Sequence, residues 1–399
     1  MTTRSIPFSL TIAMAVTMML APFSMDTYLP AFPSIAASLD VSLAEVSRSV
    51  SIYIFALALS QLIGGALSDQ IGRRQVLIAG LVMYAIASLG IAFAPSMFTL
   101  LVGRACQAFG AGWVVVSVPA LVRDRISGQE AAKLFSIMGF IVVLAPGIAP
   151  SIGSAILALG NWHYIFGALS IYAVLLIPLS TQVILKDVPR RGPVTQKKSL
   201  LTRYREVLAV RPARLFLIWQ ASCFSIMMIF ITFASFIYQE HFGLSESQFS
   251  LFFAANIATM LTFNTANRWL LSRWASIKIL RIATLCQIAG AALLVGITLA
   301  DLNVYFFLPA MMLTIGAMGA MTSNLQACFL EFFPHNGGAA AALFGATYTG
   351  VAGLLSALTT LLPQNLLSII LAMAACAAVS FIVLLRSMSP SESKVAVAT

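Results

Sequence analysis

Long apolar runs alternate with short polar segments along almost the whole chain. A helix needs roughly 20 mostly apolar residues to cross the hydrocarbon core of a bilayer. The first run exceeds the apolar region of a signal peptide and contains Asp26 and two prolines, so we predict a spanning helix there. We predict an all-α membrane protein with twelve transmembrane helices, near residues 9–33, 45–68, 75–94, 97–121, 133–157, 162–185, 213–238, 247–271, 277–299, 303–327, 338–361 and 365–386.

The composition supports a membrane protein and excludes two other classes. Hydrophobic residues make up 60% of the chain and charged residues only 9%, whereas about a quarter of a soluble domain is charged. The net charge of +10 does not indicate a nucleic-acid partner, because the basic residues lie between apolar runs and form no stripe. The five cysteines all fall in apolar runs without metal or redox spacing, and no nucleotide-binding loop is present. We therefore expect no metal, no cofactor and no use of ATP.

The basic residues support an even number of spans. With twelve spans, 21 of the 23 Lys and Arg residues lie on the side that carries both termini. The opposite loops hold five acidic residues, and Arg48 is their only basic one. Positively charged loops stay in the cytoplasm, so we expect both termini to be cytoplasmic.

A polar, basic stretch divides the predicted spans into six and six. Residues 187–212 are too polar to cross a membrane and predict a cytoplasmic linker between a first bundle, residues 1–186, and a second bundle, residues 213–399. Two sets of six helices are typical of transporters built from structural repeats around a binding site at the membrane midplane.

The loop between the second and third spans has the sequence GALSDQIGRRQVL, from Gly65 to residue 77. Gly65 allows close helix approach and Gly72 a tight turn, and Asp69 with Arg73 and Arg74 can form a charged contact at the cytoplasmic surface. The ordered string resembles the signature loop of the major facilitator superfamily. The equivalent loop after the eighth span keeps its basic residues and lacks the acid and the glycine.

Three further strings narrow the resemblance: LVGRACQAFGAG in the fourth span, APGIAPSIG in the fifth and MDTYLP in the first. Together they resemble the bicyclomycin and chloramphenicol resistance branch (Bcr/CflA) of drug:proton antiporters. The resemblance implies two pseudo-symmetric six-helix bundles in the bacterial inner membrane. It also implies a monomer that exports small amphipathic compounds by alternating access, driven by the proton gradient without a cofactor.

The resemblance also implies gating residues. In the fifth span, a helix kinked and packed through its proline-glycine motif is expected to seal one side of a cavity; the motif residues are Pro146, Gly147, Pro150 and Gly153. At the cytoplasmic surface, Asp69 is expected to contact Arg123 and the N-terminus of the eleventh span. For the prolines, a tolerated kink is the alternative, and for Asp69 it is a role in folding alone.

Away from the ends of the predicted spans, Asp26 is the only acid and Arg104 the only clear base inside the membrane. Each lies seven residues from the outer end of its predicted span, a depth of about 10 Å at 1.5 Å per residue. The superfamily resemblance implies that both helices line the central cavity. Gln107 lies one turn from Arg104, and we expect it to donate a hydrogen bond to the carboxyl of Asp26.

Burial favours the neutral form of a carboxyl, whereas a neighbouring arginine favours the charged form. We therefore expect Asp26 to carry the proton, with Arg104 tuning it and Gln107 assisting. A substrate that competes for the carboxylate expels the proton, and protonation releases the substrate. The alternative is a buried ion pair that only fixes helix packing.

The binding cavity of such a transporter is expected to be apolar and aromatic with few polar groups. The candidate lining residues are Tyr53, Trp113, Met138, Phe236, Tyr238, Asn256 and Tyr348. Each of them also has a simple packing explanation.

Three other functions remain open from the sequence. One is a dedicated exporter of a single metabolite, amino acid or siderophore with the same fold. Another is an uptake symporter, which the proline motif of the fifth span disfavours. The last is a membrane-embedded enzyme, which would need more acids, histidines or cysteines at membrane depth than Asp26 and Arg104 supply.

Overall fold

A computed structural model describes residues 8–125, 128–186, 200–333 and 337–387 of the chain, and all regular secondary structure in these ranges is helical. We number the spans 1 to 12 in chain order. Within the described ranges they are Phe8–Leu39, Leu43–Ile71, Arg73–Ile91, Met97–Arg125, Gly128–Ala158, His163–Ile184, Arg211–His241, Glu246–Leu270, Ser276–Leu299, Val304–Leu330, Gly337–Thr359 and Leu366–Ser387. A short helix, Leu200–Ala209, precedes span 7.

The length and composition of the helices match a bilayer. Among the described residues, ten helices are long and apolar enough to cross a membrane, and spans 5 and 11 add the apolar stretches Leu144–Ala158 and Leu343–Thr359. Large apolar side chains remain exposed along the spans, for example Phe98 with 74% and Ile86 with 67% of its surface accessible. Such exposure is expected where lipid replaces water. The prediction of a twelve-span, all-α membrane protein is confirmed.

Span 1 is helical over a longer stretch than its sequence predicts. It consists of the α-helices Phe8–Met18 and Leu20–Asp26, a 3₁₀ turn at Leu29–Ala31 and the α-helix Phe32–Leu39. Pro33 occupies the first turn of the last helix, where a missing backbone N–H is tolerated, so it does not end the span as we had predicted. Asp40, with a φ of 53°, terminates the span instead.

The chain separates into two compact units, Met1–Gln196 and Lys197–Thr399. Unit 1 contains spans 1 to 6, and unit 2 contains spans 7 to 12. The assignment of residues 187–212 as a linker stays a prediction, because residues 187–199 lie outside the described residues. The part of this stretch that is described forms the helix Leu200–Ala209, which packs against span 11.

Glycines bring spans 2, 3 and 4 of unit 1 into close contact. A Cβ atom at Gly110 would lie 2.6 Å from the carbonyl oxygen of Gly80 and 2.6 Å from the backbone nitrogen of Tyr84. The hydroxyl of Ser60 on span 2 donates a 2.6 Å hydrogen bond to the carbonyl oxygen of Phe109 on span 4. Close backbone approach and interhelical hydrogen bonds are the main forces between helices in lipid, so these contacts hold the three spans together.

Unit 2 is also held together by close glycine contacts and interhelical hydrogen bonds, at other positions. A Cβ atom at Gly319 on span 10 would lie 2.0 Å from the carbonyl oxygen of Met260 on span 8. Beside this contact, the amide of Asn324 donates a 2.7 Å hydrogen bond to the side-chain oxygen of Asn267. The core of unit 2 is therefore held by neutral polar groups.

We expect Gly110→Ala to destabilise the protein, because the added methyl group would meet backbone atoms that cannot rotate away. The overpacking cost is about 1–3 kcal/mol. Gly167→Ala is the matched control, since a Cβ there meets no atom within 4 Å. Thermal unfolding in detergent should show a lower midpoint for Gly110→Ala and an unchanged or higher one for Gly167→Ala. Equal midpoints for the two variants would contradict the packing argument.

Candidate functional site

The guanidinium of Arg104 on span 4 is completely buried and is fixed against span 1. Its Nη1 donates hydrogen bonds to the carbonyl oxygen of Ser24 at 2.9 Å, to the hydroxyl of Ser24 at 3.1 Å and to Oε1 of Gln107 at 2.5 Å. Ser24 lies in the helix Leu20–Asp26, so one nitrogen of Arg104 joins the two spans. A buried arginine requires such partners, because an unpaired charge in an apolar medium is strongly unfavourable.

Two tyrosine rings complete the surroundings of this guanidinium. The Cζ atom of Arg104 lies 4.1 Å from the ring centroid of Tyr53 and 4.4 Å from that of Tyr28. The hydroxyl of Tyr28 pairs with that of Ser49 at 2.8 Å, and the hydroxyl of Tyr53 donates to the carbonyl oxygen of Ala21 at 3.2 Å. The rings therefore present their π-faces to the cation, an arrangement that stabilises a desolvated arginine.

Asp26 ends the helix Leu20–Asp26, two residues after Ser24, and is also completely buried. Neither of its carboxyl oxygens has a hydrogen-bonding partner, and the same holds for Nε and Nη2 of Arg104. The two groups interact electrostatically without forming a hydrogen-bonded pair. Each thus keeps unused hydrogen-bonding capacity toward the other.

The hydrogen-bonding partners of the Gln107 side chain differ from those that we expect from the sequence. Its amide nitrogen donates a 2.7 Å hydrogen bond to the hydroxyl of Ser88 on span 3, and its oxygen accepts from Arg104, so it makes no bond to Asp26. The physical reason is that Ser88, on neighbouring span 3, supplies an acceptor within hydrogen-bonding distance of the amide nitrogen. Gln107 therefore positions Arg104 and does not hold the carboxyl of Asp26.

Gly153 in the proline-glycine motif of span 5 packs directly on span 1. A Cβ atom at this position would lie 1.7 Å from the carbonyl oxygen of Thr27, the residue that follows Asp26. Pro146 and Pro150 both lie inside this span, whose helix continues through them from Gly128 to Ala158. Gly147, between the two prolines, is partly buried. The motif thus brings the backbone of span 5 to the segment that carries the acid.

The signature loop between spans 2 and 3 agrees with its prediction in part. Gly72 separates the two spans with a φ of 104°, and Arg73 donates a 3.0 Å hydrogen bond to the hydroxyl of Ser68. Our expectation for Gly65 is wrong, because a Cβ there would meet no atom within 4 Å. The close contact lies one residue earlier, where a Cβ at Gly64 would lie 2.6 Å from the ring of Trp113.

The rest of the predicted cytoplasmic contact stays a prediction. The side chains of Asp69 and Arg123, and residues 334–336 just before span 11, lie outside the described residues. Arg74 is exposed at the start of span 3.

The predicted cavity residues fall into separate groups. Tyr53 faces Arg104, and Met138 and Trp113 are buried or half-buried elsewhere in unit 1. In unit 2, the amide of Asn256 donates a 3.1 Å hydrogen bond to the hydroxyl of Tyr238. Phe236 begins the π-helical end of span 7, and Tyr348 is half-buried on span 11 against Phe224. Their role as cavity lining stays a prediction.

Sequence reasoning missed the residues that hold Arg104 in place: Ser24, Tyr28 and Ser88. Ser24 and Tyr28 are four residues apart and lie on either side of Asp26, so helical spacing alone would have placed them on one face. Ser88 is one serine within an apolar span, and only its contact with Gln107 distinguishes it.

Sequence comparisons relate the chain to transport proteins along most of its length. The family model described as Major Facilitator Superfamily matches residues 14–357. A bicyclomycin resistance protein homolog from Haemophilus influenzae is 27% identical over 375 residues, which are 94% of each chain. A chloramphenicol resistance protein from Pseudomonas aeruginosa is 29% identical over 356 residues, 87% of this chain and 83% of that protein. The multidrug resistance protein MdtL from Shigella flexneri is 28% identical over 255 residues, 62% of each chain.

Solved structures share the fold at low identity. The D-xylose–proton symporter superposes with a TM-score of 0.77 at 15% identity, covering 94% of this chain and 97% of that chain. A peptide transporter of the POT family gives a TM-score of 0.74 at 14% identity, covering 94% of each chain. Identity this low shows a common architecture and carries no argument about substrate.

We expect Gly153→Ala to displace span 1 at Thr27, because the new methyl group cannot occupy the space of a backbone carbonyl. Reaction of a cysteine placed at Asp26 with a small thiol reagent would report that displacement. We expect the reaction rate to change by about tenfold or more in a Gly153→Ala background. A tenfold change corresponds to about 1.4 kcal/mol in the free energy that governs access to this position. The matched control is Gly167→Ala. An unchanged rate in both backgrounds would show that span 5 does not support this segment.

We expect Arg104→Lys to destabilise unit 1, although it keeps the charge. Lysine lacks the planar group that lies between Tyr28 and Tyr53 while one nitrogen bonds Ser24. The expected loss is about 1–3 kcal/mol in thermal unfolding. Arg48→Lys, at an exposed position, is the control and should leave the midpoint unchanged. An unchanged thermal midpoint for Arg104→Lys would contradict the role of the two tyrosine rings.

Proposed function

This chain belongs to the major facilitator superfamily, and on that premise we propose that it exports small amphipathic compounds in exchange for protons, by alternating access. The protein is a multi-pass membrane transporter of small molecules and not an enzyme. Resemblance to the bicyclomycin and chloramphenicol resistance branch, expected from the sequence, is confirmed by the relatives that match. Their names support drug-like compounds as the cargo of this chain.

One observation carries the proposal of proton coupling: the fully buried carboxyl of Asp26 has no hydrogen-bonding partner, although it interacts electrostatically with the guanidinium of Arg104. A carboxylate in an apolar medium without partners is costly, so in this conformation the group is best satisfied as a neutral acid. The guanidinium charge is already balanced by Ser24, Gln107 and the two tyrosine rings. The acid is therefore free to hold a proton without leaving Arg104 unsupported.

The exchange follows from the unused atoms of both groups. When a conformational change brings Nε or Nη2 of Arg104 to the carboxyl of Asp26, the anion gains a partner and the proton leaves. A cationic or strongly dipolar substrate beside Asp26 has the same effect. Reprotonation removes the attraction and releases the substrate. Substrate and proton thus compete for one carboxyl group.

The buried charges set the stoichiometry that we propose. Among the buried residues that the structure describes, Asp26 is the only acid and Arg104 the only base. One site of this kind exchanges one proton per cycle. A proton that crosses about 150 mV releases about 3.5 kcal/mol, which sustains a gradient of a few hundred-fold for an uncharged substrate.

The proposal includes a setting for the transporter. The bacterial relatives support a location in the inner membrane. We propose that both termini are cytoplasmic, that the protein works as a monomer and that it needs no cofactor beyond the proton gradient. The distribution of basic residues supports this orientation.

A dedicated exporter of one metabolite, amino acid or siderophore is the second candidate, because the same site would serve it. An uptake symporter is less favoured by the proline-glycine motif of span 5. The direction of the substrate-induced pH change in proteoliposomes separates export from uptake, and a panel of susceptibility assays in an efflux-deficient strain separates broad from dedicated specificity.

The direct test is substrate-triggered proton release from purified protein in weak buffer. We expect wild-type protein to release close to one proton per bound tetraphenylphosphonium or chloramphenicol, and Asp26→Asn to release none, because an amide has no proton to lose. Asp40→Asn is the matched control. Asp40 is exposed and has the left-handed backbone that asparagine also accepts, so its release should equal that of wild type.

The proposal fails if Asp26→Asn still releases a proton on binding. It also fails if substrate binding to the wild-type protein leaves the pH of the medium unchanged over the range in which transport occurs.

A further inference from the structure

Gln220 on span 7 is a buried amide without any hydrogen-bonding partner. Its side chain is completely buried, and neither Oε1 nor Nε2 is bonded. The other two buried glutamines among the described residues are paired, Gln107 through both amide atoms and Gln287 through a bond to the carbonyl oxygen of Thr314. An unpaired buried amide is unfavourable, so it indicates a partner that another state or a ligand supplies.

The helix face that carries Gln220 is aromatic. Phe216 and Phe224 lie four residues before and after it and therefore share its face. The ring of Phe224 contacts Tyr348 of span 11 edge to face at 4.7 Å, and that of Phe216 contacts Phe332 at 5.9 Å. Phe224 and Tyr348 are only half-buried, so flat apolar surface is available beside the amide.

The position of Gln220 along its span agrees with a transport site. It lies nine residues after Arg211, where span 7 begins, which is about 14 Å along the helix. Tyr348 lies eleven residues after the start of span 11 at Gly337, about 16 Å. Half the thickness of a hydrocarbon core is about 15 Å, so both residues are at the level of the midplane.

We propose that Gln220 recognises the substrate through an uncharged group that carries both a hydrogen-bond donor and an acceptor, such as an amide or a lactam. The inference rests on the proposed function as an exporter. A carboxamide side chain is complementary to such a group, because it donates through Nε2 and accepts through Oε1. The buried polar residues that the structure describes in unit 2 are all neutral, so unit 2 recognises cargo by hydrogen bonding and aromatic contact.

The test compares two probes on purified full-length protein. Chloramphenicol carries a secondary amide, whereas tetraphenylphosphonium is an aromatic cation with no hydrogen-bonding group. We expect Gln220→Leu to weaken chloramphenicol binding by at least about fivefold and to change tetraphenylphosphonium binding by less than about twofold. The thermal midpoint of Gln220→Leu should be unchanged or higher, because the group that is removed has no partner in the fold.

Gln287→Leu is the matched control, since its amide bonds span 10. It should lower the thermal midpoint and leave the ratio of the two affinities unchanged. The inference is overturned if Gln220→Leu weakens both probes equally, if it leaves chloramphenicol binding unchanged, or if wild-type protein does not bind chloramphenicol.

Proton release separates this inference from the proposed function. Release on tetraphenylphosphonium binding, together with chloramphenicol binding that does not depend on Gln220, overturns only the role of Gln220. Chloramphenicol binding that depends on Gln220 without proton release by either probe overturns only proton-coupled export.

Discussion

The protonation state of Asp26 depends on how completely other groups of unit 1 stabilise the charge of Arg104. In lipid, a buried guanidinium normally takes the nearest carboxylate as its partner. Here a serine, a glutamine and two tyrosine rings occupy that role, and the acid is left unbonded. Because the cation does not need the anion, the carboxyl of Asp26 can hold a proton in this conformation without leaving Arg104 unsupported. A chemically responsive acid therefore requires a neighbouring base that is already well supported.

Spans 4 and 10, which are the fourth spans of their units, carry different residues at the same position. Arg104 lies seven residues after the first residue of span 4, and Met311 lies seven residues after the first residue of span 10; both are fully buried. Charge is thus confined to one unit at this level, whereas the other presents a polarisable, adaptable side chain. In the function that we propose, unit 1 holds the titrating group and unit 2 offers neutral and aromatic contacts to cargo of different shapes.

Much of the architecture was predictable because lipid imposes strict rules on length, polarity and charge. The twelve spans and the importance of Asp26 and Arg104 follow from the rarity of charges in apolar runs. The partners of Arg104 were not predictable in this way. Gln107 turns to Ser88 of a neighbouring span, and Gly65 lies beside open space while Gly64 makes the contact. Such details depend on helix rotation, which hydrophobic runs do not encode when both faces are apolar.

The close contact of Gly80 with Gly110, together with the bond from Ser60 to span 4, joins spans 2, 3 and 4 without intervening side chains. Backbones packed this tightly cannot slide past one another in small steps. Span 1, by contrast, is not one regular α-helix, because a 3₁₀ turn at Leu29–Ala31 follows its acid-bearing helix. In the proton exchange that we propose, rewinding of this turn is the route by which a single protonation would become a change in shape, with the three joined spans as the fixed support.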